Sequence, residues 1–134
     1  MTRILVIDDQ SDVRAMICMV LRLNHFDVHE AGNAAAALKM FDEAAFDVAI
    51  VDIFLDSANG FDVIAAMRER RPDLPVVAIS GMTSFHAASR PAELSNVVCL
   101  QKPFRPNDLI GAIQKAHGAE QMDAAATRIS RAAC

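Results

Sequence analysis

Five short apolar runs divide the chain, and each run ends in polar or turn-forming sequence. Continuous apolar runs of this length are typical of strands buried on both faces of a parallel sheet. The second run alternates apolar and polar residues, so we predict a more exposed strand at an edge of the sheet. The predicted strands cover residues 3–7, 26–30, 48–51, 75–80 and 97–100.

A helical periodicity of apolar residues follows each predicted strand. The first helix opens near Ser11, a residue type suited to capping a helix N-terminus. The helix predicted at 84–94 is the least regular, because Pro91 interrupts it. Residues 119–134 either extend the last helix or are disordered. The remaining helices are predicted at 34–45, 61–71 and 106–118.

A strand–helix unit repeated five times indicates an α/β protein. Crossovers between parallel strands are right-handed, which leaves a three-layer αβα sandwich. The edge-like second strand favours the flavodoxin-like (βα)5 order 2-1-3-4-5, with the strands that end near Asp8, Asp52 and Ser80 most deeply buried. We assign residues 1–118 to this domain and 119–134 to a C-terminal tail or an extension of the last helix.

Composition and net charge limit the classes of molecule that this chain is expected to bind. A chain of 134 residues with 22% charged residues fits one globular domain. Its net charge of −4 argues against nucleic acid as the main partner, because phosphate binding needs a basic surface. No apolar run is long enough to span a bilayer, so we expect no membrane association and a cytoplasmic location.

Polar side chains follow four of the predicted strands. They are Asp8 and Asp9, Asp52, Ser80, and Lys102. Carboxyl ends of parallel strands meet at one edge of the sheet, where α/β proteins place their ligand sites. Carboxylate oxygens without Cys or His suit a hard cation, Mg²⁺ or Mn²⁺. A carboxylate beside such a cation, with a lysine and a hydroxyl nearby, suits phosphoryl transfer through an aspartyl phosphate.

These motifs, in this order, resemble the receiver domain of the bacterial two-component response regulators. The similarity covers Thr2 to about Gly118. It rests on the Asp8-Asp9 pair, on Asp52 with Gly60 eight residues later, on Ser80, and on Lys102-Pro103-Phe104. No one of these motifs is specific alone.

The resemblance implies a role for each residue of the acidic site. Asp52 would accept a phosphoryl group from a phosphohistidine of a sensor histidine kinase or a histidine phosphotransfer protein. Asp9, Asp52 and the backbone carbonyl of Phe54 would bind Mg²⁺ directly, and Asp8 mostly through water. The domain would catalyse its own phosphorylation and dephosphorylation rather than act as an enzyme on a separate substrate.

The resemblance also implies a switch. Lys102 would pair with the phosphoryl group, and its bond to Pro103 is expected to be cis. Ser80 would hydrogen-bond the phosphoryl oxygen and bias a surface formed by the predicted helix 84–94, the fifth strand and the last helix. That surface would bind a downstream protein, and the chain would be a monomer or a weak dimer.

Several readings of the chain's place in signalling stay open. With no output domain in the chain, we expect a stand-alone regulator; a phosphorelay shuttle and a fragment of a larger hybrid kinase or regulator are alternatives. An unphosphorylated interaction module and a Mg²⁺-dependent phosphatase are alternatives from other classes. The first disagrees with the complete acidic set. The second needs an acid two residues after its nucleophile, which Asp8-Asp9-Gln10-Ser11 does not provide.

The chain departs from the family pattern at two positions, and two further residues near the site are unusually large. Cys99 occupies the strand-five switch position, which is usually aromatic, and we interpret it as a core residue. Asp56 stands where the family often has proline. Phe54 and Met82 are large apolar residues two positions beyond Asp52 and Ser80. Either they face a partner or are simply exposed, or they obstruct the attacking water, leave no side chain to orient it and make the acyl phosphate long-lived.

Overall fold

The structure, a computed structural model, describes residues 2–55, 58–81 and 97–121. The predicted helix at 84–94 lies outside these ranges, so the helix called α4 here is the last of the five predicted helices. In chain order the elements are β1 (Arg3–Ile7), α1 (Ser11–Leu23), β2 (Asp27–Ala31), α2 (Ala34–Glu43), β3 (Val48–Asp52), α3 (Gly60–Arg70), β4 (Val76–Ser80), β5 (Val98–Gln101) and α4 (Pro106–Gln121).

The five strands form one parallel sheet in the order β2-β1-β3-β4-β5, which confirms the predicted topology. Every residue of β3 and β4 is buried, as are the last four residues of β1. β2 is partly exposed at the edge of the sheet, as its alternating sequence predicted. The register pairs Asp52 with Ile79 and Ser80 with Gln101, so neighbouring strands end at the same level.

Helices cover both faces of the sheet. Successive side chains of a strand point to opposite faces, so each strand contributes to two separate cores. Leu5 and Ile7 of β1 pack with α2 and α3, whereas Ile4 and Val6 pack with α1 and α4. This arrangement is the expected three-layer αβα sandwich. Among the described residues, no helix combines the length and apolar character needed to cross a membrane.

Helix ends differ from the prediction in ways that local hydrogen bonds explain. Ser11 is the first residue of α1 rather than its cap, so that prediction was wrong; Gln10 holds the N-cap position without a capping side-chain bond. α3 begins at Gly60 because the side chain of Asn59 accepts a hydrogen bond from the Phe61 amide at 2.8 Å. The last helix continues past residue 118 to Gln121, while 122–134 lie outside the described residues.

Candidate functional site

The loop after β1 brings an acidic side chain into the protein interior. Asp8 is 1% exposed. Its Oδ1 accepts a hydrogen bond from the Gln10 amide at 2.9 Å. Its Oδ2 is buried and has no hydrogen-bond partner in the described part of the chain. Asp9 is half-buried beside it. A buried carboxylate oxygen without a donor is costly, and it marks a place where a cation would be stabilised.

Asp52 ends the central strand β3 and is 3% exposed. Its Oδ1 accepts a hydrogen bond from the Phe54 amide at 3.0 Å, and its Oδ2 accepts one from Lys102 Nζ at 3.3 Å. Both carboxylate oxygens are therefore oriented, one by the backbone that leaves the strand and one by a cation. The side chain of Phe54 is 55% exposed next to this carboxylate.

Gly60 allows α3 to start directly against the end of β3. Its amide donates to the carbonyl of Ile53 at 2.8 Å. A Cβ atom at this position would lie 2.4 Å from the carbonyl oxygen of Asp52 and 2.6 Å from the Cα of Ile53. Since real Cβ contacts are never this short, any larger residue would push the backbone that carries Asp52. Glycine is therefore required at position 60, eight residues after Asp52, because there is no room for a side chain.

Lys102 enters the site from the end of β5. Its amide donates to the carbonyl of Ser80 at 2.8 Å, which ties the loop to the end of β4, and its bond to Pro103 is cis. Its ammonium group lies 3.3 Å from Asp52 Oδ2, 3.3 Å from Gln10 Oε1 and 3.8 Å from Asp8 Oδ2. Ser80 is fully buried at the end of β4.

The acidic groups form one cluster. Asp8, Asp9 and Asp52 each offer a carboxylate oxygen, and these atoms lie within 4.8 Å of one another. Burial raises the pKa of Asp8 from 3.8 to about 6, and the neighbouring charges of Asp52 and Asp9 act in the same direction. Lys102 and the hydrogen bond from the Gln10 amide oppose this rise in pKa. Lys102 contacts two of the three acids, Asp52 and Asp8, and the oxygen donor set fits a divalent cation.

Some residues of this site were not predicted from the sequence, and others lie outside the described residues. Gln10 contacts both Asp8 and Lys102; its position directly after the acidic pair was the signal available. Cys99 is half-buried and packs against the core on the α2 and α3 side of the sheet. Asp56 and Met82, for which the sequence also suggested effects on the site, lie outside the described residues.

Chemically, the arrangement offers an oriented carboxylate as a nucleophile, an ammonium group that can pair with a phosphoryl oxygen, and an acidic cluster that can hold a cation. The combination suits phosphoryl transfer to Asp52, in which positioning and charge stabilisation provide most of the catalysis. The remaining neighbour, Ser80, sits one strand away at the same level of the sheet.

The chain is similar in sequence to known proteins. Over 113 residues the chain is 32% identical to the DNA-binding transcriptional regulator NtrC of Bradyrhizobium sp., a match that covers 84% of this chain and 24% of that protein. The chain thus spans about a quarter of the length of this curated relative.

Solved structures show the same fold. The receiver domain of NtrX from Brucella abortus matches with a TM-score of 0.79 and 28% identity, over 86% of this chain and 98% of that one. The chemotaxis protein CheY4 of Vibrio cholerae matches with a TM-score of 0.81 and 26% identity, over 87% and 98%. The family model described as the response regulator receiver domain matches residues 4–114. This chain therefore belongs to the response regulator receiver domain family.

Proposed function

We propose that this chain is a phosphorylation-switched receiver whose phosphoryl acceptor is Asp52. The observation that carries the proposal is the setting of that carboxylate. It is buried at the end of the central strand, one oxygen contacts Lys102 at 3.3 Å, and Asp8 and Asp9 lie beside it. A carboxylate that served only the core would not need an acidic cluster around it, because such a cluster is unfavourable without a cation.

The transfer itself is a displacement at phosphorus. A carboxylate oxygen of Asp52 attacks the phosphorus of a phosphohistidine on a partner protein, the phosphorus–nitrogen bond breaks, and an acyl phosphate forms as the imidazole leaves. Lys102 pairs with the negative charge on the phosphoryl oxygens. The side chain of Ser80, buried at the neighbouring strand end, donates a hydrogen bond to the modified group.

Asp9 and Asp52, with the backbone carbonyl of Phe54, would hold a Mg²⁺ ion, and Mn²⁺ would fit the same oxygen donors. Asp8 would bind the ion mostly through water, and the lack of a hydrogen-bond donor to its Oδ2 among the described residues supports this assignment. When bound, the ion neutralises charge on the transferring phosphoryl group.

We infer that the phosphoryl donor is a sensor histidine kinase or a histidine phosphotransfer protein in the cytoplasm, and that phosphorylation changes a protein-binding surface that includes β5 and α4. The relative from Bradyrhizobium is a DNA-binding transcriptional regulator by name, but this chain matches only 24% of its length. The DNA-binding activity of that relative therefore does not identify the target of this chain. A phosphorelay shuttle would use the same acceptor chemistry.

Incubation of the 134-residue chain with acetyl phosphate and Mg²⁺, followed by intact mass measurement, tests the proposal. The wild type should gain one phosphoryl group, and Asp52→Asn should gain none. Asp12→Asn is a matched control, because Asp12 is an exposed carboxylate in the first turn of α1, and it should be modified like the wild type. Equal modification of Asp52→Asn, or turnover of phosphomonoesters without a modified protein, would contradict the proposal.

A further inference from the structure

One face of α1 supplies two arginines to a single glutamate on β2. Arg14, Cys18 and Arg22 follow one another at intervals of four residues, so they share a helix face. Arg14 Nε lies 3.0 Å from Glu30 Oε1, and Arg22 Nη2 lies 3.7 Å from Glu30 Oε2. Burial raises the pKa of the Cys18 thiol to about 11, and the negative charge of the neighbouring Glu30 acts in the same direction. Two arginines on one face of α1 therefore hold the carboxylate of Glu30.

Arg14 also reaches the acidic site through its other nitrogen. Its Nη1 donates a hydrogen bond of 2.6 Å to the backbone carbonyl of Asp8. That carbonyl belongs to the peptide group that joins Asp8 to Asp9. The Asp8 amide, in turn, donates to the carbonyl of Ala31 at 3.2 Å. Both backbone groups of Asp8 are therefore fixed, one by the sheet and one by Arg14.

The orientation of this peptide group decides where the second acid lies relative to the first. Two neighbouring carboxylates repel, so a loop without restraint would relax by turning them apart. The guanidinium group opposes this because its planar fork binds Glu30 and the Asp8 carbonyl together, which a lysine ammonium cannot do as well. A Cβ on Gly32 would lie 3.2 Å from Arg14 Nη1, so the glycine leaves the guanidinium its place.

We infer that Arg14, held by Glu30, is a positioning residue for the acidic pair and thereby raises the affinity of the site for Mg²⁺. The inference rests on the proposed function, since it assumes that Asp8 and Asp9 serve a metal site. Arg14 itself is not a ligand; it acts through the peptide group that carries both acids. Residues that orient ligands in this way typically change metal affinity by about 10- to 100-fold when they are replaced.

The test is the dissociation constant of Mg²⁺ alone, measured by calorimetry on the 134-residue chain without a phosphoryl donor. We expect Arg14→Met to weaken Mg²⁺ binding by about tenfold and Arg14→Lys to weaken it less. Arg22→Met is the matched control, because Arg22 also contacts Glu30 but has no bond to Asp8. It should bind Mg²⁺ within about twofold of the wild type.

A double-mutant cycle separates positioning from a general loss of stability. Glu30→Gln should weaken Mg²⁺ binding only when Arg14 is present, because it acts through that guanidinium. Circular dichroism identifies the temperature at which each variant is folded, and binding is measured there. Unchanged Mg²⁺ affinity in both Arg14 variants, or an equal loss in Arg22→Met, would overturn the inference alone. A wild type without saturable Mg²⁺ binding would overturn the proposed metal site, and the inference with it.

Discussion

Replacing Asp8 by asparagine should stabilise the metal-free protein at neutral pH, although it damages the site. Asp8 is 1% exposed, its Oδ2 accepts no hydrogen bond from any described residue, and burial raises its pKa from 3.8 to about 6. Asparagine has nearly the same size but carries no charge. The substitution therefore removes the free-energy cost of an ionised group buried away from water and leaves the packing largely unchanged.

The magnitude follows from the change in pKa between the unfolded and folded states. The folded protein holds the Asp8 proton more tightly than the unfolded chain between pH 3.8 and about 6. Its free energy of unfolding therefore falls as the pH rises through this window, and the loss is complete above it. A rise of about two pKa units corresponds to about 3 kcal/mol at most. This figure includes the opposing effects of Lys102 and the Gln10 amide.

Urea unfolding followed by circular dichroism measures this effect at about pH 4 and about pH 7.5 in the presence of a chelator. At the higher pH, Asp8→Asn should exceed the wild type by up to about 3 kcal/mol, and at the lower pH the difference should shrink. Saturating Mg²⁺ should then stabilise the wild type more than the variant. At a concentration 100-fold above the dissociation constant, the gain is about 2.7 kcal/mol.

Asp73→Asn is the control, because it removes an exposed carboxylate in the turn after α3 and should change stability by less than about 0.5 kcal/mol. If Asp8→Asn were no more stable than the wild type at neutral pH without metal, the reasoning about its buried charge would be refuted. A gain that did not diminish on acidification would refute the assignment of that gain to ionisation.

Four further substitutions test other parts of the structure. Gly60→Ala should destabilise the fold by about 2 kcal/mol or more, because the added Cβ would overlap the backbone that follows β3. A Cβ at Gly111 would meet no atom within 4 Å. Gly111→Ala should therefore stabilise α4 by about 0.5–1 kcal/mol. Phe54→Asn should speed loss of phosphate from the modified protein by at least about tenfold, because an amide can orient the attacking water. His25→Gly should raise the free energy of unfolding by about 0.5 kcal/mol. The reason is that φ of His25 is 69°, a backbone conformation that glycine adopts without strain.

Each substitution has its own measurement and control. Thermal or urea unfolding compares the two glycine variants, and the same sign of change in both would contradict the steric account. Phosphate loss is followed by intact mass after removal of the donor, with Met19→Asn on α1 as a control at another exposed apolar position. Decay of Phe54→Asn at the wild-type rate would refute the water-access hypothesis. For His25, an equal gain in His25→Ala would show that the backbone conformation is not the cause.

Much of the fold follows from local sequence patterns. Buried parallel strands are continuous apolar runs, so their number and order could be predicted, and their ends to within one residue. The meeting of Asp52 and Lys102 could be anticipated on the same ground, because parallel strands end at one edge of the sheet. Helix starts were less predictable. Ser11 and Asn59 are both residue types that cap helices, and only the hydrogen bonds of the fold show that the second caps and the first does not.

Contacts between distant side chains could not be predicted from the same patterns. Lys102 meets Gln10, which lies 92 residues earlier, because of how two loops leave the sheet. The bond from Arg14 to the Asp8 carbonyl depends on which way one peptide group faces. Helical spacing alone places Arg14 on a partly polar face and says nothing about that carbonyl. The depth of Asp8 relative to Asp9 likewise depends on the turn after β1.

The position of the phosphoryl group is the most direct test of the account. After incubation with acetyl phosphate and Mg²⁺, borohydride reduction converts an aspartyl phosphate to homoserine, and peptide mass spectrometry locates the altered residue. The account predicts homoserine at position 52 and unaltered aspartate at positions 8 and 9. Modification at Asp8 or Asp9 in place of Asp52, or at no aspartate, would contradict it.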